Sequence, residues 1–379
     1  MIYLDNSATT EPDTSVMNSF QQVSERFFAN SSSIHQLGGE SEKLLSEARN
    51  QVAQLLHVKQ GEIVFTSGGT EGNNMAIKGI ALEHQGRGKH IITTSIEHPS
   101  VFEACKSLEK LGFEVTYLPV DQYGVLSVEE LERSIRPDTI LISVMHVNNE
   151  LGSIQPIKEI AEIAEQHPKL FFHVDDVQGI GKLPLDLSAF SIDLCTFSGH
   201  KIHGIKGTGI LYIKDSTTIY PLFHGGNQEG SYRSGTENVA GAVAIAKALR
   251  FIKMREKEEI AHLQHVHHYL RTNLAQMSGV IINTPEVAAP HIMNVSVPGL
   301  RPEVMIHLLA EKGIYISTKS ACSSRERDES RILTACGFKK ERSTSALRIS
   351  MNYDNTVDEM KVFLRELEEG IKQLTKVMR

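Results

Sequence analysis

Leu194-Cys195-Thr196-Phe197-Ser198-Gly199-His200-Lys201 sets an apolar run of strand length directly before a hydroxyl, an imidazole and an amine, and the glycine-rich stretch Gly204 to Gly209 follows. A short apolar run bounded by turn residues predicts a strand buried within a sheet. In open parallel sheets, ligands sit outside the carboxyl ends of the strands, which is where this cluster falls. A lysine there can form an imine with an aldehyde, and burial or neighbouring cations would lower its pKa enough to make it nucleophilic. Ser198 and His200 could hydrogen-bond a phosphate. The ordinary alternative is a solvated lysine.

The same arrangement recurs on either side. From about residue 60 to 215, apolar runs alternate with helical stretches, and most runs end in a polar or glycine-rich cluster. The predicted strands are Glu62 to Thr66, His90 to Ser95, Glu114 to Leu118, Thr139 to Met145, Leu170 to Val174, Leu194 to Phe197 and Gly209 to Ile213. This is the signature of an α/β fold with a mainly parallel seven-stranded sheet covered by helices. A helix of roughly Asn238 to Glu259, running on into the His-rich segment Ala261 to Leu270, reads as a bridge between domains. Beyond it, Ile292 to Val297 and a charged helix over about Val357 to Val377 predict a smaller α+β domain. The expected division is a large domain at 15–258 and a small one formed by 1–14 and 259–379.

Four further strand-end clusters bear on chemistry. Thr66-Ser67-Gly68-Gly69-Thr70-Glu71 places two glycines before a helix, where backbone N–H groups can approach an anion; a capped glycine turn is the plain alternative. Ser95-Ile96-Glu97-His98-Pro99-Ser100 puts an imidazole where it could stack on a planar ring or move protons, although a lone histidine is more often structural. Asn148-Asn149-Glu150 offers an amide to a polar ring substituent, or simply makes a turn. In His173-Val174-Asp175-Asp176-Val177-Gln178 a carboxylate ends a very apolar strand, so it must be solvated, paired or in use. A pyridinium N–H would pair it.

Composition narrows the classes. The 379 residues are 40% hydrophobic and 22% charged, as in ordinary globular proteins. A net charge of -7, from 46 acidic and 39 basic residues, gives no long-range attraction for nucleic acid or anionic lipid. The first residues lack a basic and apolar leader, and no apolar run approaches the roughly 20 residues that span a bilayer, so a cytosolic protein is expected. Cys105, Cys195, Cys322 and Cys336 are scattered without a CxxC pair, which argues against a disulfide framework or a zinc site.

Taken in order, the strand-end clusters resemble those of fold-type I pyridoxal-phosphate enzymes. The resemblance covers nearly the whole chain and narrows to cysteine desulfurases of the NifS/IscS type, in the class-V aminotransferase family. It rests on Tyr3-Leu4-Asp5-Asn6-Ser7-Ala8-Thr9-Thr10, Thr66-Ser67-Gly68-Gly69-Thr70-Glu71, Val144-Met145-His146-Val147-Asn148-Asn149-Glu150, Ser198-Gly199-His200-Lys201, Arg233-Ser234-Gly235-Thr236 and Ser320-Ala321-Cys322-Ser323-Ser324.

Carried over by position, the resemblance implies that Lys201 holds pyridoxal 5'-phosphate as a Schiff base, with Asp175 on the ring nitrogen and Gln178 on the phenolic oxygen. His98 would stack on the ring and help move protons. Gly69 and Thr70, with Ser198 and His200, would bind the phosphate, and Thr236 would reach it from the other subunit of a homodimer. Asn149 would sit near the ring oxygen and the substrate, and Arg348 would clamp the substrate carboxylate, a task suited to a guanidinium. L-cysteine would be turned into L-alanine, with its sulfur carried on Cys322 as a persulfide and passed to an acceptor protein. The hydrophilic flanks of Cys322 oppose burial, whereas Cys195 reads as core.

Three features depart from the family pattern, one being Ser317-Thr318-Lys319-Ser320-Ala321 before the cysteine, which differs from the glycine-containing approach typical of the long-loop group to which the chain is still assigned. A small residue is usual where Asp176 stands; a second carboxylate there could perturb the electrostatics of Asp175, and would be harmless if it faced outward. The chain also ends soon after its last helix, where relatives serving iron-sulfur scaffolds tend to extend, which points to a sulfurtransferase of tRNA thiolation as acceptor. The other readings are an iron-sulfur sulfur donor, a selenocysteine lyase, an aminotransferase needing no Cys322, and a cofactor-free binding module.

Overall fold

The computed structural model of the chain describes residues 1–318 and 329–377. The first half carries β1 (Ile2–Tyr3), α1 (Thr14–Arg26), α2 (Gln36–Leu56), β2 (Ile63–Thr66), α3 (Gly69–His84), β3 (His90–Thr94), α4 (Pro99–Glu109), β4 (Glu114–Leu118), α5 (Val128–Ser134), β5 (Thr139–Met145) and α6 (Ile157–Glu165). Then come β6 (Phe171–Asp175), β7 (Leu194–Ser198), β8 (Gly209–Ile213) and α7 (Val239–Gln276). The remainder holds β9 (Ile281–Ile282), β10 (Ile292–Ser296), α8 (Pro302–Glu311), β11 (Ile314–Tyr315), α9 (Arg331–Ala335), α10 (Lys340–Ser343), β12 (Ala346–Ser350) and α11 (Val357–Val377).

Seven strands form the main sheet in the order β2-β8-β7-β6-β5-β3-β4, parallel throughout except for β8, which runs against both its neighbours. Side chains alternate across a strand, so neighbouring residues serve opposite layers. Ile91, Leu141 and Leu194 pack with Met75 and Ile77 of α3 and Leu108 of α4. Ile92, Ile142, Phe172 and Phe197 join the larger core with Ile160 of α6 and Ile245 and Leu249 of α7. Both faces are therefore covered, which is why these strands read as nearly continuous apolar runs. Their expected limits agree with the observed ones to within a residue at each end.

The helix expected as a bridge is one continuous element that runs on to Gln276, capped where Asn238 Oδ1 accepts from Gly241 N at 2.9 Å. It packs on α1, α2 and α11 and reaches β9 and β10. A second, antiparallel sheet has the order β12-β10-β9. Beside it, β1 pairs in parallel with β11.

The first residues tie these parts together. Leu4 N donates to Tyr315 O at 2.8 Å and Asn6 N to Ser350 O at 3.2 Å; the chain then crosses to the main sheet, where Thr10 N donates to His200 O at 2.9 Å. This crossing lays Ser7 and Ala8 over the carboxyl ends of the strands. Among the described residues, no helix is long and apolar enough to cross a membrane.

Candidate active site

Five parallel strands end around one cavity. It is lined by Gly69 and Thr70 after β2, His98 after β3, Asn149 after β5, Asp175 and Gln178 at and after β6, and Ser198, His200 and Lys201 at and after β7. Ser7, Ala8 and Arg348 close it from the other side. Gly68 caps α3 at φ 146°, a conformation that side-chain-bearing residues rarely adopt, and it lends no side chain to the helix end. The first N–H groups of α3 therefore have no side-chain cap, which suits a phosphate.

Lys201 Nζ donates to the backbone carbonyls of Ser7 and of Ala8, the latter at 2.9 Å. Asp175 is buried. Its Oδ2 accepts from Asn73 Nδ2 at 2.7 Å and its Oδ1 from Val177 N at 3.1 Å. Burial nevertheless pushes its pKa up to about 6, with Asp176 adding to the rise and Lys201 opposing it. A carboxylate held this way would gain from a cationic N–H at the cavity.

Two imidazoles are shifted the other way. Burial, then Lys201 and Arg331, push His98 down to about 4; burial, then Lys201 and Lys206, do the same for His200. Both rings are neutral at pH 7 and can accept a proton or a hydrogen bond. Beneath the cavity, His173 is wholly buried between Ser143 Oγ at 2.8 Å and Thr196 Oγ1 at 3.0 Å, and burial drives its pKa to about 3. That ladder cross-links β5, β6 and β7 just below their functional ends.

Whether the cavity fits pyridoxal 5'-phosphate can be judged from what it leaves unmet. Ser7 Oγ, Asn73 Oδ1, Asn149 Oδ1 and Arg348 Nε are buried polar atoms without a hydrogen-bond partner among the described residues. Open polar capacity, an uncapped helix end, a carboxylate and a half-buried lysine together fit a phosphorylated aromatic aldehyde. No group of His, Cys, Asp or Glu among the described residues is arranged to hold a metal ion.

The cavity gathers all but two of the site residues expected from the sequence. Thr236 is exposed and does not line it. Cys322 lies outside the described residues. Burial pushes the thiols of Cys105 and Cys336 up to about 12 and that of Cys195 well above its ordinary value. Arg348 is in place but engaged: Nη1 donates to Asn149 O at 2.8 Å, and Nη2 to Asp5 Oδ1 at 3.1 Å and Ser317 Oγ at 2.9 Å.

Asp176 does not face outward. Its side chain is buried and its Oδ1 accepts from His146 Nδ1 at 2.7 Å. Asn73 was not anticipated either. Its only signal is a spacing of four from Gly69, which places it one turn into α3 on the cavity side.

The family model described as aminotransferase class-V matches residues 2–363. The chain is 45% identical to the NifS/IcsS protein homolog of Lactobacillus delbrueckii subsp. bulgaricus, over 100% of this chain and 99% of that one. It is 44% identical to the cysteine desulfurase IscS of Methanosarcina thermophila, over 98% of this chain and 92% of that one. Among solved structures, a NifS-like protein superposes with a TM-score of 0.91 at 39% identity, covering 97% of this chain and 98% of the other. With the family model matched along almost its whole length and relatives of this identity spanning it end to end, this chain belongs to the aminotransferase class-V family.

Proposed function

We propose that this chain is a pyridoxal-phosphate-dependent cysteine desulfurase that turns L-cysteine into L-alanine and carries the sulfur away on Cys322. The observation that carries the reading is the half-buried Lys201 amine sharing with Asp175 a cavity with unmet polar groups. Its membership of a family whose relatives include cysteine desulfurases supports the choice of reaction.

Bound pyridoxal phosphate would supply an electron sink conjugated to the amino acid. Asp175 would hold the ring N–H, Gln178 the phenolic oxygen, and His98 would lie against the ring. The α3 N-terminus with Thr70, Ser198 and His200 would take the phosphate. Lys201, oriented by the Ser7 and Ala8 carbonyls, would take and return protons, with neutral His98 as a second acceptor. Arg348 would exchange a carbonyl or carboxylate contact for the substrate carboxylate.

Sulfur transfer would then need a thiolate. As Cys322 sulfur attacks the substrate sulfur, the S–S bond forms and the C–S bond breaks; the carbon keeps the electron pair and gains a proton to become alanine. The buried, high-pKa state of Cys105, Cys195 and Cys336 supports Cys322 as the carrier. A homodimer is part of the reading. Exposed Thr236 would serve the neighbouring site, and Phe28, Ile34 and Leu37 offer exposed apolar surface for the contact. For the acceptor we take a tRNA-thiolation sulfurtransferase, to be tested against an iron-sulfur scaffold with radiolabelled cysteine.

The deciding experiment incubates the enzyme with cysteine and measures alanine and protein-bound persulfide together. The two should appear in step, and Cys322→Ala should lose both while still binding the cofactor. Alanine formed without persulfide would overturn the role of Cys322.

A further inference from the structure

One buried carboxylate beside the cavity has no part in that chemistry. Asp176 is 0% exposed, and its Oδ2 has no hydrogen-bond partner among the described residues. Its Oδ1 is held at 2.7 Å by His146 Nδ1, itself buried. His146 is the first residue beyond β5, three before Asn149, and Asp176 is the first beyond β6, between Asp175 and Gln178. Met145 pairs with Asp175 in the sheet, so the pair forms where the two strands leave their ladder.

The backbone adds to the join. His146 N donates to Asp175 O at 2.9 Å, and Ile180 N to Asp176 O at 3.2 Å. A Cβ on Gly179 would lie 2.1 Å from Asp176 Oδ1 and 2.4 Å from His146 Nδ1, so the turn is folded down onto the pair and only glycine fits there. At its far end, Lys182 Nζ donates to Lys201 O at 2.8 Å. Burial is the largest influence on Asp176 and raises its pKa; His146 and Lys253 oppose that rise and Glu256 adds to it, while Asp175 and Lys182 also feel its charge.

We propose that Asp176 and His146 are a positioning pair that fixes the turn bearing Asp175 and Gln178 against the loop bearing Asn149, and so sets how tightly and in what orientation the cofactor ring is held. Neither residue lines the cavity; the pair acts through the residues that do. A partner that orients a ligand-binding side chain changes ligand affinity without touching the ligand. The inference rests on Asp175 and Gln178 meeting the ring.

Holoenzyme stripped of cofactor is titrated with pyridoxal phosphate by visible absorbance, and the visible circular dichroism of the bound ring is recorded. Asp176→Ala should weaken binding about tenfold and change the ring's circular dichroism, the scale on which outer partners of a binding site act. Asp176→Asn, which can still accept from Nδ1, should restore most of both. Removing His146 as well should cost little more than Asp176→Ala alone, as for two members of one interaction.

Asp175→Ala is the control. If it binds the cofactor as tightly as wild type, both the site assignment and this inference fail. If Asp175→Ala is impaired while Asp176→Ala binds normally and only melts earlier, this inference alone fails. Should Asp176→Ala not fold, the ring nitrogens of His146 are followed by NMR in the wild-type protein. Their signals should move when apoprotein takes up cofactor, and unmoved signals would refute the pair's role.

Discussion

On the small sheet, Asn283, Asn294, Ser296 and Arg342 form a network in which each polar group answers another. Asn283 Nδ2 donates to Asn294 Oδ1 at 2.6 Å and to Ser296 Oγ at 2.7 Å, while Asn283 Oδ1 accepts from Arg342 Nε at 2.6 Å. At the ends of the main sheet, Ser7, Asn73 and Asn149 are buried to a similar degree or nearly so, yet each keeps an atom without a partner among the described residues. Burying an unmet polar atom costs about 1–3 kcal/mol, so a chain that satisfies one cluster and leaves the other open holds capacity in reserve for a ligand. Open valence, more than polarity or burial, separates these two clusters, and it also occurs outside the cavity, at Asp176, Glu97 and His291.

Three substitutions test that division. The largest effect is expected at Lys201: Lys201→Ala should lower desulfuration by about 10³-fold while melting stays near wild type, because the proposed function gives the residue proton transfer and attachment of the cofactor. Steady-state rates beside a thermal melt check it. Asn283→Ala should do the reverse, orphaning Arg342 Nε and Asn294 Oδ1 and costing about 1–3 kcal/mol of stability in denaturant unfolding. Its cofactor affinity should stay within about twofold of wild type, since the change leaves in place the bond from Asn294 Nδ2 to Glu150 O that joins this cluster to the Asn149 loop. A larger loss would erase the distinction between the clusters.

Glu97 is the smallest and most discriminating case, because its Oε2 is buried and unpartnered among the described residues although the residue does not line the cavity. Burial raises its pKa from 4.5 to about 8, against hydrogen bonds from Thr94 Oγ1 and Met145 N. The native chain thus keeps a proton that the unfolded chain gives up, so this stabilisation is complete below the unfolded pKa and is lost as pH rises through about 8. Glu97→Gln should flatten the fall in melting temperature between about pH 4.5 and 8, the window in which the unfolded carboxyl is ionised and the native one is not. An unchanged slope would show that the open valence at Glu97 is not an ionisation cost.

Sequence reading reached the strands and the residues that end them, because an apolar run cut short by Asp175 or Lys201 is visible one-dimensionally. It could not reach Ser7 and Ala8, whose contribution to Lys201 is two backbone carbonyls that any side chain would supply. Asn73 reads as an ordinary polar residue of a helix until α3 is laid on the sheet. The His146–Asp176 pair needs the register of β5 against β6, which no local pattern specifies. Arg348 was legible as a cation for the cavity. Its existing bonds to Asn149 O and Asp5 were not, since they depend on where the first residues cross.

That crossing also orders events in time. The segment holding Ser7 and Ala8 against Lys201 is moored to Tyr315 and Ser350, which leave the ribosome long after it does. At about 5–20 residues per second the interval is on the order of tens of seconds. Through it the strand ends can be assembled while one wall of the cavity is still missing. The chain therefore completes this cavity only once Ser350 has emerged, and capture of the cofactor in its final setting waits on that point.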